Sequence, residues 1–206
     1  MVRIRPVLRT LLVLVAVVVA VGAALFWAWR RSGRPQREGE IRIARLSAPA
    51  EIRYDARGIP AIAASSTEDA MAALGWAHAN DRLFQMELTR RAAVGRLAEL
   101  FGERALDYDR RVRRTGVRRM KQRLFESASP ATRALLEAYA AGVNAWLEAR
   151  GSDLPPEFRL LGHRPEPWRP EDSISVIAVM ARSLSPVLAP PEEELLGLLR
   201  AFGPER

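Results

Sequence analysis

Over residues 79–101 the chain reads ANDRLFQMELTRRAAVGRLAELF, with Leu83, Met86, Val94, Leu97 and Phe101 at three- to four-residue steps. Phe84 and Leu88 widen this stripe, and the spacing predicts an amphipathic helix. Asp81, Arg82, Gln85, Glu87, Arg90 and Arg91 fill the intervening positions. Glu87 stands one turn before Arg90 and Arg91, the favourable acid-before-base order. On spacing alone these charges make a solvated face. Just upstream, the run Ser65, Ser66, Thr67, Glu68 fits a capping box that starts a helix carrying Met71, Leu74 and Trp76. Gly75 costs that helix about 1 kcal/mol relative to alanine, which points to close packing there. Residues 51–54 and 59–63 flank Asp55, Ala56, Arg57 and Gly58 and predict a short hairpin. Further helices are expected from Ser129 and Pro130 to Ala149, over 173–185 after Pro170, Glu171 and Asp172, and over 192–202. The stretch 154–168 is a proline-punctuated connection. The pattern as a whole is mostly α with a short β-hairpin.

One segment stands apart. Residues 11–29 are nineteen residues without a charge, preceded by Arg3, Arg5 and Arg9 and closed by Arg30 and Arg31. A cleavable signal core runs about 7–15 apolar residues and a spanning helix about 20. The run therefore reads first as a signal anchor, with Trp27 and Trp29 at an interfacial belt and a cleaved signal as the alternative. Three units are expected: an anchor with basic flanks over 1–31, a linker over 32–48, and a body over 49–206.

Charge changes the functional picture less than the formal +8 suggests. Residues 1–45 hold nine arginines against Glu38 and Glu40, and the remaining 161 residues hold 23 basic and 22 acidic side chains. The excess flanks the apolar segment and suits anionic lipid. Within the body, residues 107–123 are the most basic patch, but Tyr108 and Phe125 are too few aromatics for a nucleic-acid face. That patch reads as solvated, or as meeting acids on another chain. Nucleic acid is not an expected partner.

The chemical inventory is thin. There is no cysteine, and His78 and His163 are the only histidines. His78 and Asp81 could supply two metal ligands, but no third is evident. No Gly-x-Ser-x-Gly elbow and no phosphate-cradling glycine loop is present. By itself the chain offers no catalytic residue.

The strings DRLFQMELTRR and GRLAELFG, the hairpin RYDARGIPAIAA, the block from Tyr139 to Leu147 (YAAGVNAWL), and Leu154, Pro155, Phe158 and Trp168 together resemble the penicillin acylase family of N-terminal-nucleophile hydrolases. The likeness covers about 150 residues, from Ile52 to about Phe202, in several blocks in the right order. It implies the α-chain part of an αββα N-terminal-nucleophile hydrolase, made as a precursor whose β chain is the partner. In that family a serine at the β-chain N-terminus attacks a linear amide, with its own α-amino group as base. The sequence ends at Arg206, short of such a serine. The implied substrate is an acylated amine, either penicillin-like or acyl-homoserine-lactone-like. The resemblance also implies a body outside the cytoplasm, whereas the arginines after the apolar run would by the positive-inside rule hold it within. The rival reading is a non-catalytic, membrane-anchored helical binding or scaffold protein.

Two sets of site residues carry over from the resemblance. The family's acyl pocket takes a Met, an Arg three on and a Phe four on, which fall on Met180, Ser183 and Leu184. Ser183 in place of Arg removes a charge that could meet a carboxylate, and Leu184 in place of Phe weakens a phenylacetyl preference. Met180 and Leu184 share one helical face and are equally readable as core. The single α-chain calcium ligand falls on Glu192, with Glu193 and Glu194 as neighbours. One carboxylate out of six to eight oxygen ligands is not a site, and acids opening a helix also complement its dipole.

Overall fold

The computed structural model describes residues 4–31, 34–188, 196–197, 199–201 and 203. Helix α1 spans Ile4–Arg31. A two-stranded antiparallel hairpin follows, β1 Glu51–Tyr54 and β2 Pro60–Ala63, with Ile52 opposite Ile62. Its turn is held by the Asp55 carboxylate, which accepts the N–H groups of Arg57 and Ile59 at 2.8 Å each. The body is then helical throughout, as expected of a mostly α fold with one hairpin.

Helix α2, Thr67–Val94, organises the rest. The two helices read separately from the sequence are one element with a kink at Arg82, where φ is −144° and ψ is 26°. Its cap is Ser66, whose Oγ accepts the Asp69 N–H at 3.0 Å. The Asp69 carboxylate does not reach back to close a capping box. It instead accepts the Ser47 N–H at 2.8 Å and hydroxyl at 2.7 Å, and these bonds hold its acid below the usual carboxylate range.

The stripe ends early. Gly95 takes a left-handed conformation (φ 69°) and caps α2, and the short helix α3, Ala98–Phe101, starts in a new direction. Phe101 is consequently on the surface rather than on the core-facing stripe. A 3₁₀ turn, Gly102–Ala105, leads to α4, Leu106–Arg114, and α5, Val117–Ser127, with a left-handed Gly116 between them. Helix α6 runs Pro130–Arg150 from a Ser129 cap. Helix α7, Pro156–Leu160, sits inside the expected connection, and α8 spans Pro170–Leu188. Of the expected piece at 192–202, the described residues 196–197 and 199–201 are helical.

The core is the α2–α6 crossing. A Cβ on Gly75 would lie 2.1 Å from the Tyr139 carbonyl oxygen, and one on Gly142 would lie 1.9 Å from that of Ala72. Backbone meets backbone there, so alanine's helical advantage cannot be used. Around the crossing pack Trp76, Leu83, Val143, Trp146, Phe158 and Trp168, all buried. Phe84 meets Phe158 edge to face at 5.3 Å.

The stretch read as a linker lies along this pair of helices. Asn80 accepts the Gln36 N–H at 2.8 Å, returns a bond to its carbonyl at 2.9 Å, and accepts the buried Trp146 indole N–H at 3.1 Å. Ile41 and Ile43 pack against the core. The expected span at 11–29 is not supported: among the described residues no helix is long and apolar enough to cross a membrane.

Candidate substrate-facing helix and its buried ion network

The charges in the last turns of α2 are not solvated, although Arg82 further up the helix is exposed. Glu87 is 1% exposed, and its carboxylate accepts Arg90 Nε at 2.6 Å and Arg91 Nε at 2.5 Å, with His163 Nε2 2.8 Å away. Arg91 is buried as well and reaches Glu99 at 2.5 Å. Arg90 reaches forward to the carbonyls of Glu166 at 2.8 Å and Pro167 at 3.1 Å, and to Asp172 Oδ2 at 3.3 Å. Lys121 of α5 closes the set on Asp172 Oδ1 at 2.5 Å. Taking so many charges out of water is costly, and only a fully satisfied set survives it. The sequence carried the i,i+3 and i,i+4 pairing but no sign of its burial. Asp172, Lys121 and His163 arrive from distant segments.

This network fixes the start of α8. Asp172 also accepts the Arg169 N–H at 3.0 Å, which caps the helix. Asn144 of α6 pairs with both backbone groups of Trp168, at 2.7 and 3.0 Å. Further along, Arg182 donates to the Tyr108 hydroxyl of α4. One side of α8 is therefore gripped by α2, α4, α5 and α6.

Among the described residues the other side is bare. Ile177 is 68% exposed, and Met180 and Leu184 are 61% exposed each. At 100° per residue these three fall on one narrow stripe. Among the described residues nothing covers Met180 or Leu184. Ser183 is exposed too, and its hydroxyl donates to the Val179 carbonyl at 2.9 Å, so it is engaged within its own helix.

The histidines are accounted for otherwise. His78 Nδ1 lies 2.9 Å from the Tyr139 hydroxyl, and burial holds its imidazole below the usual range while pushing Tyr139 up to about 12. Asp81 faces Arg37 at 3.2 Å, so the His78–Asp81 pair is not a metal site. Among the described residues the side chains of the two histidines meet Tyr139, Glu87 and Arg91, with no serine among them. No group of three or more His, Asp or Glu is gathered to hold a metal ion there. Glu192, Glu193 and Glu194 lie outside the described residues.

A family model described as penicillin amidase matches residues 49–205. The chain belongs to the penicillin amidase family. It is 50% identical over 143 residues to the penicillin acylase 2 proenzyme of Pseudomonas sp. (strain SE83), covering 69% of this chain and 18% of that protein. It is 41% identical over 156 residues to the acyl-homoserine lactone acylase QuiP of Pseudomonas putida, covering 76% and 19%. The fold matches a solved thermostable penicillin G acylase from Alcaligenes faecalis with a TM-score of 0.66 at 30% identity, over 77% of this chain and 86% of that one. The chain spans about a fifth of the length of the curated relatives it matches. Against this family, the bare stripe of α8 is the stretch that carries the expected acyl-contact positions.

Proposed function

We propose that this penicillin amidase family chain is the α-chain portion of an amidohydrolase that cleaves the linear amide of an acylated amine. The nucleophile in this reading is a serine at the N-terminus of a β chain from the same precursor, acting through its own α-amino group. The observation that carries the reading is the bare α8 stripe. An apolar face of Ile177, Met180 and Leu184, on a helix set in place by a buried ion network, suits one wall of an acyl pocket completed by another chain. Ser183 offers no charge to that wall. Leu184 offers no aromatic ring, so an aliphatic acyl group fits it better than a phenylacetyl group. A calcium ion held by Glu192 with oxygen donors of the partner belongs to the same reading and rests on the resemblance alone.

The test is turnover. The full chain alone is expected to show no hydrolysis of phenylacetyl or longer acyl amides above background, and addition of the matched β chain to restore it. Hydrolysis by the chain alone would overturn the assignment, because among the described residues neither histidine side chain lies against a serine or threonine hydroxyl. No turnover with the β chain bound would favour the helical scaffold.

The same reading places the body outside the cytoplasm, with α1 as the export segment, basic at its start and apolar over 11–29. Protease added to spheroplasts is expected to digest the body. Complete protection in cells with a sound membrane would place the body in the cytoplasm. N-terminal sequencing of the exported protein reads whether the segment is retained.

A further inference from the structure

Beside the ion network lies a groove of about 820 Å³ that the amidase reading does not use. It is bounded by the C-terminal half of α2, by α5, and by the segment leading into α8. Its floor is Arg90 and Arg91, buried and held by Glu87. Nine cationic side chains line it against five acidic ones. Three of those acids are already committed: Glu99 and Glu166 to Arg96, and Asp172 to Lys121 and Arg90.

The rim is different. Among the described residues Arg113, Arg118, Arg119, Arg123 and Arg169 form no ion pair with a carboxylate, yet all five line the same groove. The Glu126 carboxylate faces Gln122 and not a guanidinium. Like charges gathered in a concavity focus a positive potential and repel one another, and an anion seated there relieves both. The run over 107–123 thus has a use other than a solvated face.

The lining also restricts the chemistry. It holds no aromatic ring and a single aliphatic side chain, Val94, so neither a stacked base nor an acyl chain finds a surface there. Guanidinium forks match phosphate oxygens two at a time. The volume is that of a site for one small molecule. We propose that this groove binds a compact polyanion, a small molecule carrying two or more phosphate groups.

The test is calorimetry on the full chain, purified with any polypeptide that stays bound to it, using sodium tripolyphosphate as the probe. Saturable binding is expected, weakening steeply as salt is raised. The exposed pair Arg119→Gln and Arg123→Gln together should weaken it tenfold or more without shifting the melting temperature of the free protein. Arg53→Gln with Arg57→Gln, the same charge change on the distant hairpin, should leave it unchanged. Equal loss in both pairs would overturn the proposal, since binding would then follow net charge alone. Absence of binding would overturn it too. A ten-residue glutamate peptide that binds at Arg119 and Arg123 more tightly than tripolyphosphate would replace it with an acidic protein partner. None of these outcomes depends on turnover, so the amidase reading stands or falls separately.

Discussion

Replacing Glu87 by glutamine should lower the stability of the chain by about 3–5 kcal/mol, the usual cost of removing one partner from a buried ion pair. The change is nearly isosteric, so packing is not what is lost. Glu87 is 1% exposed and is the one carboxylate shared by Arg90 and Arg91, with His163 against it. An amide accepts at one atom only, and its NH₂ would point a donor at a guanidinium. Both buried arginines would then lose the carboxylate they share, leaving Arg90 with Asp172 alone and Arg91 with Glu99 and Glu166, which are half exposed. The loss should be read by urea denaturation, beside Asp107→Asn as a control. That residue pairs with Arg110 on the surface, with the two side chains 80% and 67% exposed, and should change stability by no more than about 0.5 kcal/mol. If Glu87→Gln cost under about 1 kcal/mol, the network would have to be hydrated and exchangeable. A second readout is geometric. Arg90 carries the connection from Glu87 to Asp172 at the start of α8, so the variant should loosen that helix. On the proposed amidase function, the complex with the β chain should then show a raised KM for long acyl amides.

The contrast between pattern and burial explains what could be read in advance. The hairpin, the helix from Ser129 and the helix from Pro170 were legible, because each is announced by local chemistry: turn residues, a capping hydroxyl, a proline in a first turn. Gly75 also pointed correctly to close packing, since a glycine inside a helix needs a reason. Periodicity failed where the outcome depended on residues far away. Phe101 fits the stripe numerically, but a left-handed Gly95 breaks the helix before the stripe reaches it. Glu87, Arg90 and Arg91 look like a solvated face because nothing local reveals that Glu166, Pro167 and Asp172 will cover them. The α8 stripe is the reverse case. Its apolar spacing is what a core helix shows, and only the structure reveals that nothing in the described residues covers it. The family likeness had pointed to Met180 and Leu184 on that stripe, while composition and spacing left an acyl wall and a core equally open.

Gly142→Ala is the second large effect, and helix propensity gives it the opposite sign. In an open helix the change would gain about 1 kcal/mol. Here the new Cβ would fall 1.9 Å from the Ala72 carbonyl oxygen, 2.8 Å from its carbon and 2.9 Å from the Trp76 nitrogen. All three are backbone atoms of α2, so no side chain can swing aside, and the two helices must separate by more than an ångström. Separation opens the densest part of the core, at Val143 and Trp146, and stretches the Trp146–Asn80 hydrogen bond of 3.1 Å that also anchors Gln36. Overpacking of this kind costs about 1–3 kcal/mol where side chains can yield. With backbone on the far side, a loss of at least about 3 kcal/mol is expected. Gly75→Ala meets the Tyr139 carbonyl at the same crossing and should cost a similar amount. Each substitution forces the same separation, so the double variant should lose clearly less than the sum of the two single losses. Additive losses in urea denaturation would mean that the two contacts yield independently, and that the α2–α6 crossing is not the single rigid joint on which the fold turns.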